Sequence, residues 1–131
     1  MKQALVVAVL FGAVATEALA QGADINTRWG PSGSHFSLSA GTQTFGYEAT
    51  ITGATAPFEV KLEVYHNGVL KFTDVKVVPI PVTPFAYSCS VGMDTWGLRS
   101  GDVVTFILTV IDTASGATLA THHLYGDVVG T

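Results

Sequence analysis

Phe58-Glu59-Val60-Lys61-Leu62-Glu63-Val64-Tyr65, then His66-Asn67-Gly68, then Val69-Leu70-Lys71-Phe72-Thr73, is the stretch whose reading decides the fold. In the first run Phe58, Val60, Leu62 and Val64 point one way, while Glu59, Lys61, Glu63 and Tyr65 point the other. That period of two belongs to a strand with one face in a core and one in water. Asn67-Gly68 supplies two residues that tolerate positive φ, which a two-residue hairpin turn requires. The sequence therefore predicts a β-hairpin, with Asp74 to Val78 either prolonging the return strand or starting the next.

The same pattern extends in both directions. Upstream, Phe45, Tyr47, Ala49 and Ile51 alternate with Gly46, Glu48, Thr50 and Thr52, and His35 to Ala40 forms a shorter run with Phe36 and Leu38 on one side. Downstream, Phe85, Tyr87, Cys89 and Val91 share one face of a strand. Val104, Phe106, Leu108 and Val110 share the inner face of another, and Ala117 to Tyr125 closes the chain. Pro79, Pro81 and Pro84 each lack a ladder donor, so Pro79 to Pro84 reads as a crossover or an edge. Asp94 to Asp102 reads as a loop. About seven short strands, without a capped helical period in the mature part, predict an all-β chain folded as an antiparallel sandwich.

The first twenty residues have a different character. Met1-Lys2 gives a positive start, an apolar run extends from Ala4 to Val14, and Ala18-Leu19-Ala20 places small residues where a signal peptidase reads them. This is the layout of a cleavable signal peptide, cut between Ala20 and Gln21. Its apolar core is too short to span a bilayer comfortably. The expected organisation is a signal peptide at 1–20, an extended polar arm at 21–33 and a single β-sandwich domain at 34–131. The expected location is secreted, extracellular or periplasmic.

Charge excludes some partners. The chain of 131 residues has a formal net charge of −4. Beyond residue 20, Arg28, Lys61, Lys71, Lys76 and Arg99 are scattered rather than clustered. Nucleic acid and anionic membrane both need concentrated Lys and Arg, so neither is an expected partner. Cys89 is the only cysteine. No internal disulfide can therefore form, and packing must hold the domain together. Its place among alternating apolar residues predicts a buried, inert thiol.

The chemistry-bearing residues do not assemble into a known pattern. Cys89 and Met93 lack the intervening histidine that a blue-copper loop needs. His122-His123 are adjacent on a strand, so their side chains diverge; one is expected inside and hydrogen-bonded, the other exposed. His66 at the hairpin tip reads as structural, and His35 has no acidic neighbour in sequence. Glu48, Glu59 and Glu63 occupy outward strand positions where solvated carboxylates are ordinary, and Asp102, Asp112 and Asp127 read as turn residues. No catalytic, cofactor-binding or metal-ligating residue is assigned, and no cofactor is expected. The aromatic side chains Trp29, Tyr65 and Trp96 remain as a candidate contact surface.

The closing part of the chain carries a resemblance. A Trp-bearing loop leads into Gly101-Asp102-Val103-Val104-Thr105-Phe106-Ile107-Leu108-Thr109-Val110, and Asp112 through Gly116 then turns into a last strand. This resembles the final hairpin of immunoglobulin-like and fibronectin type III-like domains of secreted bacterial proteins, over about residues 34–128. The Cys-Trp-Cys arrangement of true immunoglobulin domains is absent. The resemblance implies an immunoglobulin-like sandwich that acts by protein contact as an adhesive, spacer or structural module, and it implies no reaction. Two other readings follow from the arm and the aromatics: a subunit that self-assembles by strand exchange of residues 21–33, and a carbohydrate-binding module. The expected partners are protein subunits, including this chain itself, a surface protein or a polysaccharide.

Overall fold

The computed structural model describes residues 22–55, 57–79 and 83–130. The expected signal peptide and its cleavage site lie outside the described residues. Eight strands occur among those described: β1 (Asp24–Asn26), β2 (Ser34–Ser39), β3 (Thr44–Thr52), β4 (Phe58–His66), β5 (Val69–Val78), β6 (Phe85–Gly92), β7 (Val103–Asp112) and β8 (Thr118–Val129). They form two open sheets, one of five strands in the order β2-β8-β7-β4-β5 and one of three in the order β1-β3-β6. The described residues are all-β and sandwich-like, as the alternation predicts.

Register follows from the hydrophobic pattern, because a slip of one residue would turn every inward side chain outward. β4 pairs antiparallel with both β5 and β7, so that Leu62 stands opposite Asp74 on one side and Leu108 on the other. Phe58, Val60, Leu62 and Val64 from β4 and Val104, Phe106, Leu108 and Val110 from β7 are fully buried. The facing residues are Tyr47 and Ile51 from β3 and Tyr87 and Val91 from β6, all in the same core. The hairpin turn is as the sequence requires: Asn67 has φ 48° and Gly68 has φ 84°.

The structure departs from the sequence reading in several places. The sandwich is not wholly antiparallel, since β2 runs parallel to β8 with His35 opposite Tyr125 and Leu38 opposite Val128. A parallel partner cannot come from a local hairpin, so it leaves no short-range sequence signal. β5 runs unbroken to Val78, which is one of the two alternatives the sequence leaves open, whereas β8 extends past the expected Tyr125 to Val129, which moves Asp127 from the expected turn into a strand. The described part of the expected arm, residues 22–33, is less an arm than a partner. Its β1 pairs with β3, Ile25 opposite Ile51, and its end is tied to β8 by Gly33 N–H donating to the His123 carbonyl at 2.8 Å. Gly30 at the bend has φ 120°, and a Cβ there would stand 2.5 Å from Ser34 Oγ, so only glycine fits.

Two buried tyrosines link the core differently. Tyr87 Oη on β6 donates to Asp74 Oδ2 on β5 at 2.7 Å, a tie from one sheet to the other. Tyr47 Oη, equally buried, has no protein partner among the described residues. Burial pushes both phenols well above their ordinary range, and at Tyr87 the Asp74 bond adds to that.

Phe106→Ala should cost about 3–5 kcal/mol in denaturant unfolding, whereas Thr109→Ala on the opposite face of β7 should stay within about 1 kcal/mol. Tyr87→Phe should cost about 1.5–3 kcal/mol, because it strips a half-buried carboxylate of its donor. Tyr47→Phe should be neutral or stabilising, since it removes a buried hydroxyl without a partner. Equal losses at the two tyrosines would contradict the assigned hydrogen bond.

Candidate functional surface

The outer face of the five-stranded sheet is ordered in rows by the register. Tyr65 on β4 stands opposite Thr105 on β7, Thr105 opposite Tyr125 on β8, and Tyr125 opposite His35 on β2. The rings of Tyr125 and His35 stack at 4.9 Å, and His123 lies 6.4 Å from Tyr125 on the same face. The next rows carry Glu63 with Ile107 and His123, then Lys61 with Thr109 and Thr121. This face is half-buried by its own packing and mixes apolar, aromatic and charged groups.

The three aromatics singled out from sequence do not share one surface. Tyr65 lies on this outer face. Trp29 turns inward, its ring 5.2 Å from Phe45, 5.7 Å from Phe36 and 5.8 Å from Tyr47, with the Arg28 guanidinium 4.8 Å above it. Trp96 packs against the core from the loop before β7 and stacks on His66 at 6.4 Å. A tryptophan in a polar segment packs wherever an apolar surface is offered, and here the core offers it.

The histidines are committed locally. His122 is buried, and its Nε2 lies 3.0 Å from the Gly30 carbonyl, which holds the bend of residues 27–33 against β8; His123 is half-buried on the outer side. This is the inward and outward division expected of an adjacent pair. His35, without an acidic neighbour in sequence, meets Asp127 at 3.0 Å across the parallel strand pair. Both partners are about half exposed, so the pair is worth about 0–1 kcal/mol. No group of three His, Cys, Asp or Glu residues among those described could hold a metal ion.

At the hairpin tip, Asp102 gathers three donors. His66 Nε2 stands 2.8 Å from Oδ2, the Arg99 backbone N–H donates to Oδ2 at 3.0 Å, and the Asn67 amide donates to Oδ1 at 3.1 Å. An ionised carboxylate only accepts, so the proton in the first of these sits on His66 Nε2. Asn67 Oδ1 in turn accepts from Val103 N–H at 2.9 Å. The arrangement clasps the β4–β5 hairpin onto the start of β7. The imidazole has one edge on Asp102 and one face on Trp96, which is how a structural histidine is held. Asp112 makes a smaller version of the same device with Ser115 N–H and Oγ.

Cys89 is half-buried rather than buried. It lies on the inward side of β6 as the alternation requires, but β6 is an edge strand and the cover above it is incomplete. Burial nonetheless raises its thiol above the ordinary range. Glu48 is exposed and lines a groove with Arg28, Thr50 and Ser88 on the outside of the three-stranded sheet. Glu59 and Glu63 are half-buried on the outer face of the other sheet.

The hydrogen bonds from His66 and Asn67 hold the Asp102 carboxyl at about 2, below its ordinary 3.8. A depressed carboxylate contributes stability above its unfolded pKa and loses it as pH falls. Wild type should therefore exceed Asp102→Asn in stability at neutral pH, and the difference should shrink between about pH 4 and pH 2. Urea unfolding of both proteins across that range checks this; a pH-independent difference would contradict the clasp.

No protein-family model, no curated protein and no solved structure matches this chain.

Proposed function

We propose that this is an exported, non-enzymatic β-sandwich of immunoglobulin-like topology that acts by protein contact at or outside the cell surface. The observation that carries the reading is the division of strands between the sheets. The order β8-β7-β4-β5 corresponds to the G-F-C-C′ run of a variable-type immunoglobulin sheet, and β1-β3-β6 corresponds to A-B-E. β2 continues the first strand on the opposite sheet and lies parallel to β8. The N-terminal layout described above supports export.

A contact role is supported by what the outer face offers. Tyr65 and Tyr125 are rigid aromatics with polar tips, the side-chain type enriched where proteins touch. The described part of the arm, residues 22–33, is occupied within its own chain, with β1 on β3 and Trp29 packed against the core. Self-assembly through that arm would require these contacts to be exchanged between copies, which makes it the less favoured route to association.

Expression of the full chain in an exporting host should yield, from the extracytoplasmic fraction, a protein whose N-terminal sequence begins at Gln21. A protein retained in the cytosol and starting at Met1 would overturn export. Labelled protein should bind intact cells of the source saturably, and the pair Tyr65→Ala and Tyr125→Ala should weaken binding by about tenfold or more. Free passage of the labelled protein into the medium would overturn the contact role.

A further inference from the structure

Large apolar side chains left exposed among the described residues are concentrated on one strand. Val69, Leu70, Val75 and Val77 of β5 are 48–59% exposed, and Val129 is the fifth such residue. β5 is also one of the two edges of the five-stranded sheet, so one row of its N–H and C=O groups faces outward without a strand partner among the described residues. A long, apolar, unpaired edge is a template for another strand.

The sequence of the edge says which strand fits. Lys71 falls at an irregularity, because Val64 stands opposite Phe72 and Tyr65 opposite Leu70. The regular ladder therefore runs from Phe72 to Val78 and is closed by Pro79. Within it Phe72, Asp74, Lys76 and Val78 share the inward side, opposite Val64, Leu62, Val60 and Phe58, while Thr73, Val75 and Val77 share the outward side. A two-fold axis perpendicular to the sheet preserves these sides, so it must pass through a residue of the strand. Centred on Asp74 it would oppose two carboxylates, and centred on Lys76 two ammonium groups, both destabilising. Centred on Thr73 it would set Asp74 against Phe72 and carry Lys76 past the end of the regular ladder, leaving both charges without an opposite partner. Centred on Val75 it sets Val75 against itself, Thr73 against Val77, Phe72 against Val78, and Asp74 against Lys76 twice.

We propose that β5 is a self-association edge, at which two copies of this chain pair antiparallel through Phe72–Val78 about an axis at Val75 and join their five-stranded sheets into one of ten strands. The Asp74 carboxylate is already placed by Tyr87 Oη, which lowers the ordering cost of meeting Lys76 of the second copy. Lys76, although on the inward side, is exposed and so available for that pairing. The inference rests on the contact reading only in naming the contact.

In a Cys89→Ser background, Val75→Cys should form a disulfide-linked dimer under mild oxidation. Opposed residues of an antiparallel pair are about 4.5–5.5 Å apart at Cα, within disulfide reach. Thr73→Cys alone should cross-link at least tenfold more slowly, because its two copies stand about 14 Å apart. Thr73→Cys mixed with Val77→Cys should cross-link as Val75→Cys does. Sedimentation equilibrium should find a dimer for wild type and a monomer for Val75→Lys with an unchanged circular dichroism spectrum; if that variant does not fold, the cross-linking comparison alone decides. A wild-type monomer together with Val75→Cys cross-linking no faster than Thr73→Cys would overturn the proposal. So would a dimer that survives Val75→Lys. Export and cell-surface binding would be untouched by either result.

Discussion

A cluster of rings between the sheets is the constraint on which the rest of the structure depends. Phe106 of β7 lies 4.9 Å from Phe45, 5.8 Å from Tyr47 and 6.0 Å from Phe36, and Trp29 closes the group from the segment before β2. These residues come from four separate stretches of the chain and from both sheets. Each such aromatic pair adds about 0.5–1.5 kcal/mol to the burial of its members. With a single cysteine, no covalent bond can hold the sheets together, so this packing supplies what a disulfide gives many exported domains.

Near the ring cluster, residues 22–40 form one side. β1 lies on β3, β2 lies on β8, and the bend between them is pinned by His122 to the Gly30 carbonyl and by Trp29 packed against the core. Phe36 and Leu38 sit so close to Gly126 that a Cβ there would stand 3.1–3.3 Å from them, which explains the glycine in the middle of β8. On the opposite side, β5 and β6 are both edges, linked by the Tyr87 to Asp74 bond. Both sides end in two strand edges, but they differ in character: at one, β1 and β2 are joined by their own bend, and at the other β5 carries most of the exposed large apolar side chains.

How much of this the sequence discloses depends on the range of the interaction. The β4–β5 hairpin is readable because both of its determinants, the period of two and Asn67-Gly68, lie within a dozen residues. The inward set of β7 and the division of His122 from His123 are readable for the same reason. The β2–β8 pairing, the His35 to Asp127 contact and the Tyr87 to Asp74 tie connect residues far apart in sequence, and nothing local marks them. Trp29 is a case between these. Its size says that it needs a surface, but only the fold reveals that the surface is its own core. Cys89 shows the limit of alternation as a guide to burial: the pattern gives the side of the strand correctly, while the depth depends on how far the facing sheet extends. The outer row of Tyr65, Tyr125 and His35 was hidden likewise, since it is assembled by register across four strands.

The apolar edge at β5 poses a physical question that the other side does not. Edge strands are commonly blunted by lysines, prolines and bulges, and β5 has all three, in Lys71 and Lys76, in Pro79 and in the irregularity at Lys71. The irregularity and the proline act at the ends, however, and leave seven regular residues between them. Within those seven the charge is not uniform, because Asp74 stands two residues from Lys76 on the same side of the strand. A lone lysine repels an identical edge in every register that aligns it with itself. A lysine paired with an aspartate two residues away rejects registers that align either charge with itself and favours the one that exchanges them. The same side chains that guard this edge against indiscriminate pairing therefore specify one alignment for it, and that alignment sets the exposed Val75 against its own copy and the exposed Val77 against Thr73.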